Sequence, residues 1–344
     1  MENVLVRPSP GDNTPFATLQ YGECAQAVLS RLPENFAQAI ITELPAPGLG
    51  DYPETDWPAV SYCPHPLLAG KPRTNLRAKK QRCAYGSESS VEDYIAHTVH
   101  MFRLMKPVLR GDGTLWFHAR DRYLEKKQLG MIPQQIALAL QADGWVLRNE
   151  IIWQRDNTSP ESALDRLTRT HGTLFMFAHP ESSKKDATYY YDADSIREPH
   201  QSQDDKHIKS YNKNTNMADG YSRRPKLGKA WHPKGRNRRT VWNVNLGAYL
   251  GKALSPWPLD LVEPMVKAAV PGRDRDPGTP RAVVLDPFSG TATTGKAAMD
   301  WGADFFGIDI DREVLSEARA RLEGLTHSRR ALQQKESPIL EMFS

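Results

Sequence analysis

Short apolar runs and helical stretches alternate along most of this chain. Residues 17–21 (Ala-Thr-Leu-Gln-Tyr) read as a strand, 24–29 as a short helix, and 37–42 (Ala-Gln-Ala-Ile-Ile-Thr) as a second strand. A capping-box-like pair, Ser90 and Asp93, opens a helix that runs to residue 109. Its apolar positions Tyr94, Val99, Phe102, Met105 and Val108 keep a helical spacing. Gly111-Asp112-Gly113 predicts a turn, 114–117 a buried strand, 134–142 a helix, and 145–153 and 174–178 two further strands. The alternation resumes with a helix over 258–269, strands over 283–286 and 305–309, and a helix over 312–325. Strands and helices in turn predict an α/β fold: a doubly wound, mostly parallel sheet with helices on both faces.

Three stretches break the pattern. Residues 1–16 carry Pro8, Pro10 and Pro15 and read as a loose arm. Residues 53–88 look irregular, with basic runs at 71–73 and 79–82. Residues 183–240 are rich in Asn, Ser, Lys and Tyr and poor in aliphatics, so they read as an insertion. The expected organisation is therefore a core of 17–182 and 241–325, an insertion at 183–240, and a peripheral tail at 326–344. No apolar run approaches the ~20 residues of a membrane span, and the first residues have no leader pattern. Cys24, Cys63 and Cys83 are far apart and in no metal-ligand spacing. Few cysteines suit a reducing compartment. A cytoplasmic protein with no metal centre and no membrane contact is expected.

Charge changes the picture in one place. The net charge is +4, but residues 184–239 hold fourteen Lys or Arg against seven Asp or Glu. A basic block on a mildly acidic body suits a polyanionic partner, nucleic acid above all. Tyr189, Tyr190, Tyr191, Tyr211, Tyr221 and Trp231 interleave with the cations, which suits phosphate contact combined with stacking. Arg223, Arg224 and Lys226, then Lys234, Arg236, Arg238 and Arg239, are the candidate nucleic-acid contacts.

The densest chemistry lies near the C-terminus. Val283-Val284-Leu285 ends in Asp286-Pro287, followed by Phe288-Ser289-Gly290-Thr291-Ala292-Thr293-Thr294-Gly295 and a helix; the next strand ends in Asp309. Strand, small-residue turn, helix, strand and acid form the layout of a nucleotide-type cofactor site. Small residues let the backbone approach a ligand, and the helix N-terminus offers free N–H groups. Residues 290–296 also fit the phosphate-loop pattern G-x-x-x-x-G-K. That loop needs a Ser or Thr next for Mg²⁺, and Ala297 stands there instead.

The stretch 286–295 resembles the S-adenosylmethionine loop of the DNA amino-methyltransferases, which modify N6 of adenine or N4 of cytosine. Other segments resemble that family in its permuted order, with the catalytic loop first and the cofactor loop last. They include Tyr21-Gly22-Glu23-Cys24, Arg148-Asn149-Glu150-Ile151-Ile152-Trp153, Pro160-Glu161-Ser162, Tyr189-Tyr190-Tyr191-Asp192 and Pro258-Leu259-Asp260-Leu261-Val262-Glu263-Pro264. The resemblance implies a Rossmann-like methyltransferase fold, S-adenosylmethionine as cofactor, and double-stranded DNA as partner. A homodimer or a methyltransferase-type partner subunit is a further possibility it raises. Cofactor contacts then fall on Glu23 (adenine), Phe288 (adenine face), Asp309 (ribose hydroxyls), Asp286 (amino group), the turn Gly290, Thr291 and Thr294, and Pro258 at the head of the covering helix.

The catalytic loop departs from the family. Its pattern is (Asp, Ser or Asn)-Pro-Pro-(Tyr, Phe or Trp); here Glu43-Leu44-Pro45-Ala46 aligns, and only Pro45 survives. An exocyclic amine is a poor nucleophile because its lone pair is conjugated with the ring. The loop's polar side chain and a backbone carbonyl accept its two N–H bonds, and the aromatic residue stacks on the flipped base. Glu43 and the Leu44 carbonyl remain as acceptors, and Pro45 shapes the loop. Ala46 cannot stack; Tyr52 and Trp57 are the substitutes in reach. Gly172 after His171, where the family often has Glu, is a further change near the reaction centre. These departures leave a second expectation: a methyltransferase-like DNA-binding protein that transfers no methyl group, or a different group transfer to a base.

Overall fold

The computed structural model describes residues 3–6, 15–48, 52–72, 74–184, 188–199, 234–247, 257–272 and 280–324. The chain divides into two compact units. The larger holds residues 1–192 and 240–344, the smaller residues 193–239.

The larger unit is built on a nine-stranded sheet. Its strands are β1 (Asn3–Val6), β2 (Ala17–Tyr21), β3 (Ala37–Glu43), β8 (Leu109–Ala119), β9 (Val146–Gln154), β10 (His171–Ala178), β11 (Val241–Asn243), β12 (Val283–Asp286) and β13 (Asp304–Asp309). Four short strands, β4 (Thr55–Trp57), β5 (Val60–Tyr62), β6 (Leu76–Ala78) and β7 (Gln81–Cys83), lie outside it. The order across the sheet is β1-β2-β13-β12-β3-β8-β10-β9-β11. From β2 to β8 every neighbouring pair is parallel. β10 is antiparallel to both β8 and β9, and β1 is antiparallel to β2.

The helices are α1 (Ala25–Leu29), α2 (Val91–Val108), α3 (Ile132–Ala142), α4 (Leu259–Ala269), α5 (Thr293–Trp301) and α6 (Leu315–Leu322). Ser90 caps α2 as expected: its side chain accepts from the Asp93 N–H at 3.1 Å. The spaced residues Tyr94, Val99, Phe102, Met105 and Val108 are all buried. Phe102 meets Phe117 of β8 edge to face.

Several expectations need correction. Residues 3–6 of the presumed loose arm pair with β2 as an edge strand. The presumed irregular stretch 53–88 forms two small antiparallel sheets, β4 with β7 and β5 with β6. Gly111–Gly113 is no turn but part of β8, where a register shift against β3 absorbs it. An added Cβ at Gly113 would lie 2.7 Å from the Gln38 carbonyl oxygen, so the close strand approach requires glycine there.

The smaller unit is held by its own ion pairs. Glu198 accepts from Arg236 and Arg239, and Asp194 accepts from Arg197 and lies 3.6 Å from Lys234.

Gly295 shows how tightly α5 meets the sheet. A Cβ there would lie 2.6 Å from the Phe305 ring and 3.0 Å from Leu322. Gly295→Val is expected to cost about 1–3 kcal/mol through overpacking, read as a lower denaturation midpoint. An unchanged midpoint would show that α5 has slack.

Candidate functional site

One cavity of about 290 Å³ gathers residues from both ends of the chain. From the N-terminal side come Cys24 to Gln26, Glu43 to Ala46, Tyr52, Trp57, Tyr85 and Arg120. From the C-terminal side come Trp257, Pro287 to Thr291, Thr293, Asp309 and Ile310. The parallel order β13-β12-β3-β8 brings them together: each strand delivers its C-terminal residue to the same sheet edge, where α/β proteins bind ligands.

Asp286 closes β12 and is fully buried. Its carboxylate accepts from the Thr42 hydroxyl at 2.6 Å, the Thr294 hydroxyl at 2.7 Å and the Phe288 N–H at 3.1 Å. Asp286 and Thr294 thus brace the loop from beneath, and neither is among the residues lining the cavity. Asp309 does line it. Its carboxylate accepts from the Gly290 and Asp311 N–H groups at 2.7 and 2.9 Å, so it pins the turn rather than capping a helix. Burial raises both acids against these hydrogen bonds, Asp286 to about 7 and Asp309 to about 6. Tyr21 completes the frame by donating to the Gly290 carbonyl at 2.6 Å.

The turn itself is unusual at Ala292, which sits in the left-handed region (φ 56°, ψ 40°) at the head of α5. That conformation costs an alanine roughly 1–2 kcal/mol relative to glycine. Phe288 packs on Tyr85, ring centroids 5.4 Å apart, and forms a wall of the cavity.

Glu43 ends β3 opposite His118 of β8. Its Oε1 accepts from His118 Nδ1 at 3.1 Å and from Arg120 Nε at 2.9 Å. Burial alone would raise this carboxyl, but His118 and Arg120 outweigh it and hold it below the ordinary carboxylate range. Gly172 makes room for the pair: a Cβ there would lie 2.7 Å from His118 Nε2. Neither His118 nor Arg120 was singled out from sequence. The available signal was His118 and Arg120 at the end of the apolar run that starts at Leu115.

The loop after Glu43 is fixed by the core. Tyr94 donates its hydroxyl to the Pro45 carbonyl at 2.8 Å, and Gly48 N donates to the Gly86 carbonyl at 2.6 Å. Gly86 is held in turn by Glu88, which also bonds the buried His97. Trp57 is stacked on His97 at 4.2 Å and is 2 % exposed, so its ring faces are spoken for. Tyr52 is the half-buried aromatic that lines the cavity beside Glu43.

Other expected contacts lie elsewhere. Glu23 is held by Arg31 and Gln20 and does not line the cavity. Pro258 heads α4, while its neighbour Trp257 supplies the wall. Arg236 and Arg239 are paired with Glu198, Lys234 lies near Asp194, and Arg238 lies beside them in the smaller unit. Arg223, Arg224 and Lys226 lie outside the described residues. Among the described residues no helix is long and apolar enough to cross a membrane.

Both the sheet and the paired loops define a nucleotide-cofactor enzyme of the methyltransferase type. The family model described as DNA methylase matches residues 74–320, and the chain belongs to that family of N6-adenine and N4-cytosine DNA methyltransferases. Among curated relatives, the Type II methyltransferase M.Cfr9I of Citrobacter freundii is 30% identical over 336 residues, covering 90% of this chain and 88% of its own. The Type II methyltransferase M.SmaI of Serratia marcescens is 31% identical over 284 residues, covering 74% and 83%. The solved PvuII DNA methyltransferase (cytosine-N4-specific) shares the fold, with TM-score 0.57, 12% identity and coverage of 94% and 92%.

The family's cofactor is S-adenosylmethionine, and the cavity fits it. The Thr291 and Thr293 hydroxyls are buried on its wall without a protein partner, and such atoms call for a ligand. Asp309 on the wall and Asp286 beneath offer compensation to a cationic ligand.

The raised acids set a pH dependence. The folded state holds protons that the unfolded chain releases, so their contribution is present below about pH 4 and lost as pH rises through 6 to 7. The protein without cofactor is expected to lose stability between about pH 4 and 7 in guanidinium titrations, and Asp309→Asn should remove the part of that loss that falls between about pH 4 and 6. An equal loss in the variant would show that Asp309 is not its source.

Proposed function

We propose that this DNA methyltransferase places the target amine, N6 of adenine or N4 of cytosine, against Glu43, with Tyr52 serving as the stacking surface. What carries this reading is the meeting of Glu43–Ala46 and Phe288–Thr293 in one cavity: they are far apart in sequence, and the parallel pairing of β3 with β12 and the Thr42–Asp286 hydrogen bond, 244 positions apart, bring them together.

S-adenosylmethionine would supply the methyl group: the N–C bond forms as the C–S bond of the sulfonium breaks, the thioether leaves, and the methylated nitrogen gives its extra proton to water. The chain's own residues make the amine nucleophilic. Both described bonds to Glu43 land on Oε1, so Oε2 serves as acceptor for one amine N–H, and the Leu44 carbonyl serves for the other. The clamp from His118 and Arg120 positions a carboxylate one methylene longer than the family's Asp. Misplacement of about 1 Å in such a group costs ~100-fold in rate, so the clamp matters as much as the acceptor. Phe288 and Asp309 support the adenosine portion, with Thr291 and Thr293 as further polar contacts.

A second reading is favoured by the same clamp and by Ala46. Glu43 spent on His118 and Arg120 would leave a protein that binds cofactor and DNA but transfers nothing.

Incubation with labelled S-adenosylmethionine and mixed-sequence duplex DNA, then nucleoside mass analysis, separates the readings. We expect one methylated base, which also names the target. Glu43→Ala should lower kcat by about 100-fold or more with cofactor affinity retained, while Glu43→Gln keeps an acceptor oxygen and part of the rate. Cofactor and DNA binding without any label would establish the second reading.

A further inference from the structure

Large apolar side chains left in solvent are few, and two of them are neighbours. Leu164 and Leu167 are 101% and 90% exposed, more than any other large apolar residue among those described. Both lie on the segment 155–170 between β9 and β10. A single exposed leucine is ordinary. Two on a well-braced segment are not explained by packing.

The bracing is extensive. The Arg155 N–H donates to the Thr170 carbonyl at 2.8 Å and closes the base of the segment. Glu161 accepts from the Arg169 N–H at 3.2 Å and from the Arg166 guanidinium at 3.0 Å. Arg166 lies over the Tyr123 ring at 3.7 Å, Lys127 pairs with Asp165 at 2.5 Å, and Arg169 pairs with Asp121 at 3.4 Å. Asp165 and Arg166 are thus tied down between the two leucines, while both apolar side chains point to solvent.

The anchors fix where the segment sits. Asp121 and Tyr123 directly follow β8, beyond His118 and Arg120, which hold Glu43. The segment is therefore tethered beside the C-terminal end of β8, next to the residues that hold Glu43. Its base carries Arg155. Arg155 lies over Trp153 at 5.1 Å, its Nε is buried without a partner, and burial together with the charges of Arg120 and Arg169 lowers its guanidinium from the usual value. Apolar tips with Arg155 at their base suit duplex DNA, the substrate of this family, which joins a phosphate backbone to an apolar stack.

We propose that Leu164 and Leu167 form a wedge that enters the base stack of duplex DNA beside the extruded target, with Arg155 meeting a flanking phosphate. Extrusion of a base leaves a gap in the stack, and apolar side chains stabilise such gaps. The inference rests on the reading of this chain as a methyltransferase acting on a flipped base.

The test is the double variant Leu164→Ser/Leu167→Ser in the full chain. Because neither side chain packs on the fold, its melting temperature and S-adenosylmethionine affinity should equal those of the wild type. Its kcat/KM on the matched duplex should fall about tenfold or more. Pairing the target base with a mismatch, which lowers the unstacking cost, should bring the rate back to within about threefold. On a short fluorescein-labelled mixed-sequence duplex, its affinity should fall with the salt slope unchanged, whereas Arg155→Ala should lower that slope by about one. Wild-type turnover and DNA affinity in the double variant would overturn the wedge. So would a loss of self-association with DNA affinity intact, which would assign the leucines to an interface between copies. If the wild type transfers no methyl group, the functional reading falls, and the duplex-affinity arm decides the wedge by itself.

Discussion

The Asp286 carboxylate is the joint on which the molecule turns. It takes a hydroxyl from Thr42 on one side and a hydroxyl and an N–H from Thr294 and Phe288 on the other. Thr42 immediately precedes Glu43, and Phe288 opens the cofactor loop. One buried acid therefore sets the spacing between the two halves of the site. A buried carboxylate is costly unless its hydrogen bonds are met, so the arrangement is close to all-or-none. Its raised value shows that burial still outweighs those bonds. That residual cost sits beneath the cavity, and a site that is less favourable when empty gives a cationic ligand more to gain.

The fold was largely legible because its signals are local. Apolar runs, small-residue turns and the Ser90 cap each specify their own element, and the parallel order follows from strand–helix alternation. What could not be read was registration. Residues 53–88 lack a strong period, and their four short strands are defined by partners rather than by their own pattern. Gly111–Gly113 carries a turn composition, yet the pull of a long strand beside β3 overrides it. The C-terminal half of the site was legible for the same reason as the fold, since Phe288 to Thr293 and Asp309 lie in one strand–turn–helix–strand unit. His118 and Arg120 were not, because their importance comes from standing opposite Glu43 on another strand. Asp286 and Glu23 show how much position leaves out: the hydrogen bonds Asp286 takes from Thr42 and the ion pair Glu23 makes with Arg31 are not visible in the sequence pattern.

The departures in the catalytic loop form one linked set. Glu43 is longer than the Asp, Ser or Asn of the family pattern, and a longer carboxylate needs something to hold it. His118 and Arg120 do so. His118 occupies space that any side chain at position 172 would contest, and Gly172 leaves it open. Tyr52 remains on the cavity wall after the loop's aromatic position has become Ala46. Independent decay of a disused loop gives no reason for these changes to fit one another sterically, whereas a re-engineered acceptor does.

The clamp also limits what Glu43 can do. A carboxylate held below its ordinary range by a histidine and an arginine stays ionised near neutral pH and resists taking a proton. Such a group helps an amine by accepting its N–H bond and letting the nitrogen lone pair leave conjugation, not by abstracting a proton beforehand. On the proposed reading the assistance of Glu43 is geometric and electrostatic, so it depends on where Oε2 points. His118 and Arg120 both hold the other oxygen, which fixes the plane of the carboxylate and leaves that one direction to be used.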